Sequence, residues 1–185
     1  MTSSATLVST AKCFDGQASL YQHSSTALKC NMRFRVFLPS TASESSPLKW
    51  PVLYFLSGLS CTENNFFEKA GALRVAAELG VVIVCPDTSP RGVDIEGDSD
   101  SWDFGKGAGF YVDATADKWA DNYNMYQYVV HELPLVIGQI VNVDESRVGI
   151  FGHSMVRWLL SSSKNNTDHW FSGWPWSSSD RLAKS

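Results

Sequence analysis

Residues 147–155 read Arg-Val-Gly-Ile-Phe-Gly-His-Ser-Met. Arg147 to Phe151 has the apolar character of a buried strand, and Gly152-His153-Ser154 follows it directly. A serine placed there in a Gly-x-Ser context predicts a sharp strand-to-helix turn. Such a turn exposes the hydroxyl and leaves the following amide, that of Met155, free to face a developing negative charge. The pattern usually closes with a small residue two places after the serine, because the turn crowds the backbone. Val156 stands there instead, β-branched and bulky, and is expected to conflict with the turn.

The residues upstream supply the sheet that such a turn needs. Cys30 to Leu38 alternates, with Met32, Phe34, Val36 and Leu38 on one face and Arg33 and Arg35 on the other. A polar linker, Pro39 to Lys49, leads to Pro51–Leu56, continuously apolar as a strand buried on both faces would be. Asn65 and Glu68 fit a helix start, and Ala70, Leu73, Ala77 and the closing Gly80 predict one helix of about fifteen residues. Val81 to Cys85 is a second apolar strand. A loop from Pro86 to Lys118 follows, rich in Gly and Asp and long enough to suggest a functional role. Asn122 to Gln139 reads as helix, with Pro134 set to kink or restart it. Strands alternating with helices imply an α/β fold with a mainly parallel sheet.

Bulk composition narrows the function. Hydrophobic residues make up 44% and charged residues 18%, values ordinary for a globular domain. The net charge of −4 favours neither nucleic acid nor an anionic membrane as a partner. No apolar run suggests a secretory leader or a membrane span, so the expected location is cytoplasmic. Cys13, Cys30, Cys61 and Cys85 lack metal-ligand spacing and are expected as reduced thiols. The Asn165-Asn166-Thr167 sequon has no meaning without secretion. No metal and no cofactor is expected.

Leu56-Ser-Gly-Leu-Ser-Cys-Thr62 follows the first apolar strand, where a second oxyanion-binding amide would come from, and Leu59 is the natural donor. By itself this stretch is also an ordinary turn. His153 adjoins Ser154, but neighbours on such a turn point apart, so it is not the base. His23 and His131 read as structural histidines. Asp168-His169 copies the order of an acid and a base, yet adjacent side chains cannot orient one another. Cys61 lies beside the predicted oxyanion loop and reads more simply as a small filler, as does Cys85.

FLSGLSCTENNF (55–66), PDTSPRG (86–92), SWDFGKGAGFYVDAT (101–115), NYNMYQYVVHELP (122–134) and IFGHSM (150–155) together resemble the S-formylglutathione hydrolase, or esterase D, family. The resemblance covers residues 7–155 and implies an α/β-hydrolase fold. It implies hydrolysis of the thioester S-formylglutathione to glutathione and formate, with side activity on small esters, by a Ser-Asp-His triad and no cofactor. Members are often homodimers. By this resemblance Ser154 is the nucleophile, Leu59 and Met155 give the oxyanion-hole amides, and the loop 101–111 lines the acyl and glutathione pocket. Trp102, Phe104, Phe110 and Tyr111 could close a small pocket there, although each alone reads equally well as core.

From Val156 the texture changes to a Ser- and Trp-rich stretch with poor helix formers. The expected organisation is therefore an N-terminal part of an α/β-hydrolase domain at 1–155, followed by an unrelated, disordered tail at 156–185. The triad Asp and His would each need a further strand–helix unit of roughly thirty residues, and no such sequence follows Ser154. The sheet is accordingly expected to be incomplete, with 147–151 at its edge. The chain reads as catalytically inactive by itself. It could be a non-catalytic truncated isoform or the product of a gene-model artefact, since so abrupt a break suggests a splice or reading-frame change. A general carboxylesterase or acyltransferase is the weaker alternative.

Overall fold

The computed structural model describes residues 4–40 and 42–162, with side chains as far as Leu159. The N-terminal part is an antiparallel meander of β1 (Thr6–Cys13), β2 (Gly16–Ser25) and β3 (Cys30–Pro39). The chain then enters β4 (Trp50–Leu56), β5 (Val82–Pro86) and β6 (Val143–Gly152). The sheet order is β1-β2-β3-β5-β4-β6, with β5, β4 and β6 mutually parallel. The α/β architecture expected from the sequence is present, but the sheet is mixed rather than mainly parallel, because the meander and its pairing with β5 are antiparallel.

Period-two alternation sorts the strands onto two cores. Met32, Phe34, Val36, Val52, Tyr54, Leu56, Val82 and Val84 face one layer of helices, and Phe37, Ile83 and Cys85 face the other. Because β5 is central, all five of its residues are buried. Among the described residues β6 is the last strand of the sheet, as predicted, so Val148, Ile150 and Phe151 are only half-buried.

The helix expected from Asn65 onward is two helices, α1 (Asn65–Lys69) and α2 (Leu73–Leu79). Gly71, at φ 63°, breaks the run between them. Asn65 does not cap forward; its Oδ1 accepts the Thr62 amide at 2.8 Å. Gly80 closes α2 in the left-handed conformation, as expected.

After α3 (Asp117–Ala120) the helix expected over 122–139 comes in three parts. These are α4 (Met125–Gln127), a π-helical turn at Tyr128–Glu132, and α5 (Leu133–Ile137) with Pro134 in its first turn. Proline lacks an amide and cannot extend the preceding ladder, so the restart lies where the sequence placed it. The last element, α6 (Val156–Ser162), is helical although its sequence suggested otherwise. Its Val156 and Leu159 enter the core, which supplies what propensity lacks. Residues 163–185, including Asp168, His169 and most of the expected tail, lie outside the described residues. No helix among the described residues is long and apolar enough to cross a membrane.

A single carboxylate ties this helical segment to the meander. Glu132, 5% exposed, accepts hydrogen bonds from Ser25 Oγ (2.6 Å), Thr26 N (2.7 Å), Thr26 Oγ1 (3.0 Å) and Ala27 N (3.1 Å). Burial alone would push its pKa up, but these bonds to the charged form outweigh it and the net direction is down. A depressed carboxylate stabilises the fold above its unfolded pKa, near ~4.3, and that stability is lost as pH falls through the folded value. Glu132→Gln is expected to cost about 2 kcal/mol in denaturant unfolding at neutral pH. It should also flatten the loss of stability below about pH 4; an unchanged acid limb would contradict the assignment.

Candidate active site

Strands β4 and β6 run parallel in a register that pairs Leu56 with Gly152, so both end at the same level of the sheet. The Leu56 carbonyl accepts the His153 amide at 3.1 Å. A Cβ on Gly152 would overlap that same carbonyl oxygen, so only glycine fits. Ser154 then takes φ 60°, a left-handed conformation rare for a side-chain-bearing residue and one that costs about 1–3 kcal/mol. Arg157 N bonds Ser154 O (3.2 Å) and Trp158 N bonds Met155 O (3.1 Å), which starts α6 at once. Ser154 is exposed at the apex, while Met155 and Val156 are buried beneath it.

The conflict expected at Val156 does not occur. The elbow forms with valine in place, and its side chain, 8% exposed, belongs to the core cluster with Leu159. Only Ser154 needs a positive φ here; Val156 does not.

The loop after β4 passes directly alongside. An ideal Cβ on Gly58 would lie 2.6 Å from His153 Nδ1 and 3.2 Å from Ser154 Cβ, so the loop and the elbow are in van der Waals contact. Ser60, at φ 61°, donates its amide to Gly107 O (2.9 Å), and Cys61 N bonds Gly58 O (3.2 Å). Just before Ser60, the Leu59 amide has no protein acceptor among the described residues, and neither has the Met155 amide. Two N–H groups without protein acceptors among the described residues therefore lie near an exposed serine, one in the residue after it and one in the loop packed against it.

The four aromatics expected to close a pocket are not brought together as a set. Tyr111 is fully buried and donates its hydroxyl to Ser57 O at 2.8 Å, which anchors the loop carrying Leu59. Burial, and then the Asp87 charge, hold that phenol well above its ordinary pKa, so it stays a donor. Phe110 is half-buried and meets Trp158 edge-on at 6.3 Å. Phe104 is 49% exposed against Trp119, and Trp102 is 76% exposed. Phe104 and Phe110 line a common cavity of about 310 Å³; Trp102 and Tyr111 do not.

Residues that the sequence reading passed over hold the long loop in place. Asp87, buried, accepts Thr88 N (2.6 Å) and both Arg91 Nε (3.1 Å) and Nη2 (3.0 Å), and Arg91 also donates to Cys61 O (3.2 Å). Ser89 Oγ receives the Gly107 amide at 2.7 Å. The PDTSPRG string carried this signal in its polar residues. No cluster of three or more potential metal-ligating side chains occurs among the described residues.

The imidazoles of the described residues are placed elsewhere or turned aside. His23 Nε2 bonds Tyr128 Oη (3.2 Å) within the core, and burial lowers its pKa. His131 stands edge-on to Tyr126, and His153 packs over Gly58.

Residues 25–156 match the model of the Esterase family. The chain is 54% identical to an S-formylglutathione hydrolase of Bos taurus over 148 residues, 80% of this chain and 51% of that protein. It is 48% identical to one from Arabidopsis thaliana over 156 residues, 84% of this chain and 54% of that protein. The solved structure of an S-formylglutathione hydrolase from Agrobacterium tumefaciens superposes with a TM-score of 0.79 at 44% identity, covering 88% of this chain and 58% of that one. The chain thus spans about half the length of the curated relatives it matches.

Two substitutions test this geometry. Gly152→Ala should destabilise the chain by about 2–3 kcal/mol, because the collision is with backbone that cannot step aside. Val156→Gly should also destabilise, by about 2–3 kcal/mol, through lost burial and lower helix propensity. Chemical denaturation decides both, and a Val156→Gly chain more stable than the parent would restore the view that valine strains the elbow.

Proposed function

The chain belongs to the Esterase family, and from that premise we propose that it carries the nucleophile-bearing part of a serine thioesterase site acting on S-formylglutathione. Ser154 attacks the formyl carbonyl. The oxyanion of the tetrahedral intermediate is received by the Leu59 and Met155 amides, glutathione leaves as the thiol, and water releases formate from the acyl-serine. The observation that carries the reading is the strained, exposed Ser154 lying against a loop whose Leu59 amide, like that of Met155, is uncommitted. Small esters would react by the same steps, and hydrolysis of this thioester would clear formaldehyde trapped on glutathione.

The base and its orienting acid are a separate matter. A serine hydroxyl is a weak nucleophile without an adjacent base. Among the described residues His23 is bonded to Tyr128 in the core, His131 stands exposed beside Tyr126 on the helical face, and His153 packs over Gly58 beside the serine it precedes. A polypeptide of these 185 residues is accordingly proposed to be non-catalytic. The triad histidine and aspartate would come from sequence corresponding to the remaining half of the relatives.

Steady-state assay against a Ser154→Ala control tests both parts. The 185-residue polypeptide should show no Ser154-dependent turnover within the ordinary enzymic range of ~1–10³ s⁻¹. Extending it with the C-terminal half of a relative should restore Ser154-dependent hydrolysis of S-formylglutathione. Turnover by the short chain that vanishes in Ser154→Ala would overturn the non-catalytic reading and put Asp168 and His169 back in play.

A further inference from the structure

We propose that the cavity walled by Phe104, Trp119 and Tyr123 is a binding site for an amino-acid headgroup, with its ammonium held by the aromatic rings and Asp113. The identity of the natural ligand rests on the function proposed above: on that reading the headgroup is the γ-glutamyl end of the glutathione thioester.

Trp119 stands edge-to-face with Phe104 (4.9 Å between centroids, 84°) and with Tyr123 (5.4 Å, 84°). Successive perpendicular rings make a corner of aromatic faces, the geometry that attracts organic cations through ring quadrupoles. Trp119 already accepts one cation, since Lys118 Nζ lies 5.4 Å from its centroid. The volume, about 310 Å³, is at the small end for ligand pockets and admits a headgroup rather than a bulky hydrophobe. The space persists because the facing wall is mostly glycine and alanine. At Gly109 a Cβ would meet Thr88 O at 2.7 Å and Met125 Cγ at 2.8 Å behind the wall, so packing beneath the cavity confines that position to glycine.

Charge is arranged to match an ammonium. Asp113 lines the cavity and uses Oδ1 to accept the Gln127 amide at 3.1 Å, while its Oδ2 has no partner among the described residues. The Tyr123 hydroxyl, buried and unpartnered among the described residues, stays a neutral donor, because burial and then the Asp98 charge push its pKa up to about 12.

The cavity also flanks the elbow. Phe110 lines it and meets Trp158, which lies one helical turn beyond Ser154. An extended ligand could therefore present its acyl end to Ser154 while its amino-acid end occupies the cavity.

Calorimetric titration of the 185-residue chain with S-methylglutathione, a thioether that cannot be hydrolysed, tests this without catalysis. The comparison ligand is the des-amino form, in which glutaryl replaces γ-glutamyl. S-methylglutathione should bind about tenfold more tightly than the des-amino form. Asp113→Asn and Trp119→Leu should each remove most of that difference, with circular dichroism reporting whether the variants fold. If neither variant folds, the two ligands on the parent chain still decide the matter. Equal affinities, or no binding of S-methylglutathione, would overturn the proposal, as would a difference that survives in both folded variants. Selective binding together with an extended chain inert toward S-formylglutathione would overturn the function proposed above and leave the headgroup site standing. Thioesterase activity with equal affinities would do the reverse.

Discussion

The approach of β6 to β4 at their shared upper ends constrains everything above the sheet. Leu56 and Gly152 are register partners, and one carbonyl, that of Leu56, both receives the His153 amide and excludes a side chain from position 152. Two loops with no sequence proximity are thereby released side by side. Gly58 of one lies under His153 and Ser154 of the other. A register slip of one residue would turn Tyr54 and Ile150 to the opposite face and separate the loops, so the same pairing specifies core and site together.

Such closeness needs support from outside the sheet, because a loop left to itself would relax. Support comes from the segment between β5 and α3, which has almost no regular structure yet buries Asp87, Thr88, Ser89 and Tyr111. Its backbone polar groups are satisfied one by one: Gly107 with Ser60 and Ser89, Gly109 with Thr88. Phe110 and Tyr111 both take positive φ, at 49° and 54°. That strain is tolerated because it sets the Tyr111 hydroxyl against the Ser57 carbonyl, immediately before Gly58.

The strands were legible because their patterning is local. Alternation in β3 and continuous apolarity in β5 translate directly into one and two buried faces. The placement of Ser154 after β6 was legible for the same reason. What escaped the reading depended on partners distant in sequence. Val156 looked incompatible when judged against a motif, yet it fits because Leu159 and the sheet give it a place in the core. The helix from Asn65 seemed continuous because Gly71 is a weak breaker on paper and becomes decisive only in the left-handed conformation. Trp102, Phe104, Phe110 and Tyr111 share a string but not a destination. Two consecutive positive-φ residues redirect the chain between them, and nothing in hydrophobic pattern announces that.

The Glu132 carboxylate has a consequence in time as well as in energy. Its partners, Ser25, Thr26 and Ala27, precede it by 105–107 residues. At ribosomal rates of ~5–20 residues per second, the β2–β3 connection emerges roughly 5–20 s before the group that completes it. Through that interval the hairpin can pair its strands, but the Thr26 and Ala27 amides lack the carboxylate that later receives them. The meander is thus synthesised first and locked late, and the nascent chain must carry an unfinished N-terminal sheet until the π-helical turn arrives to close it.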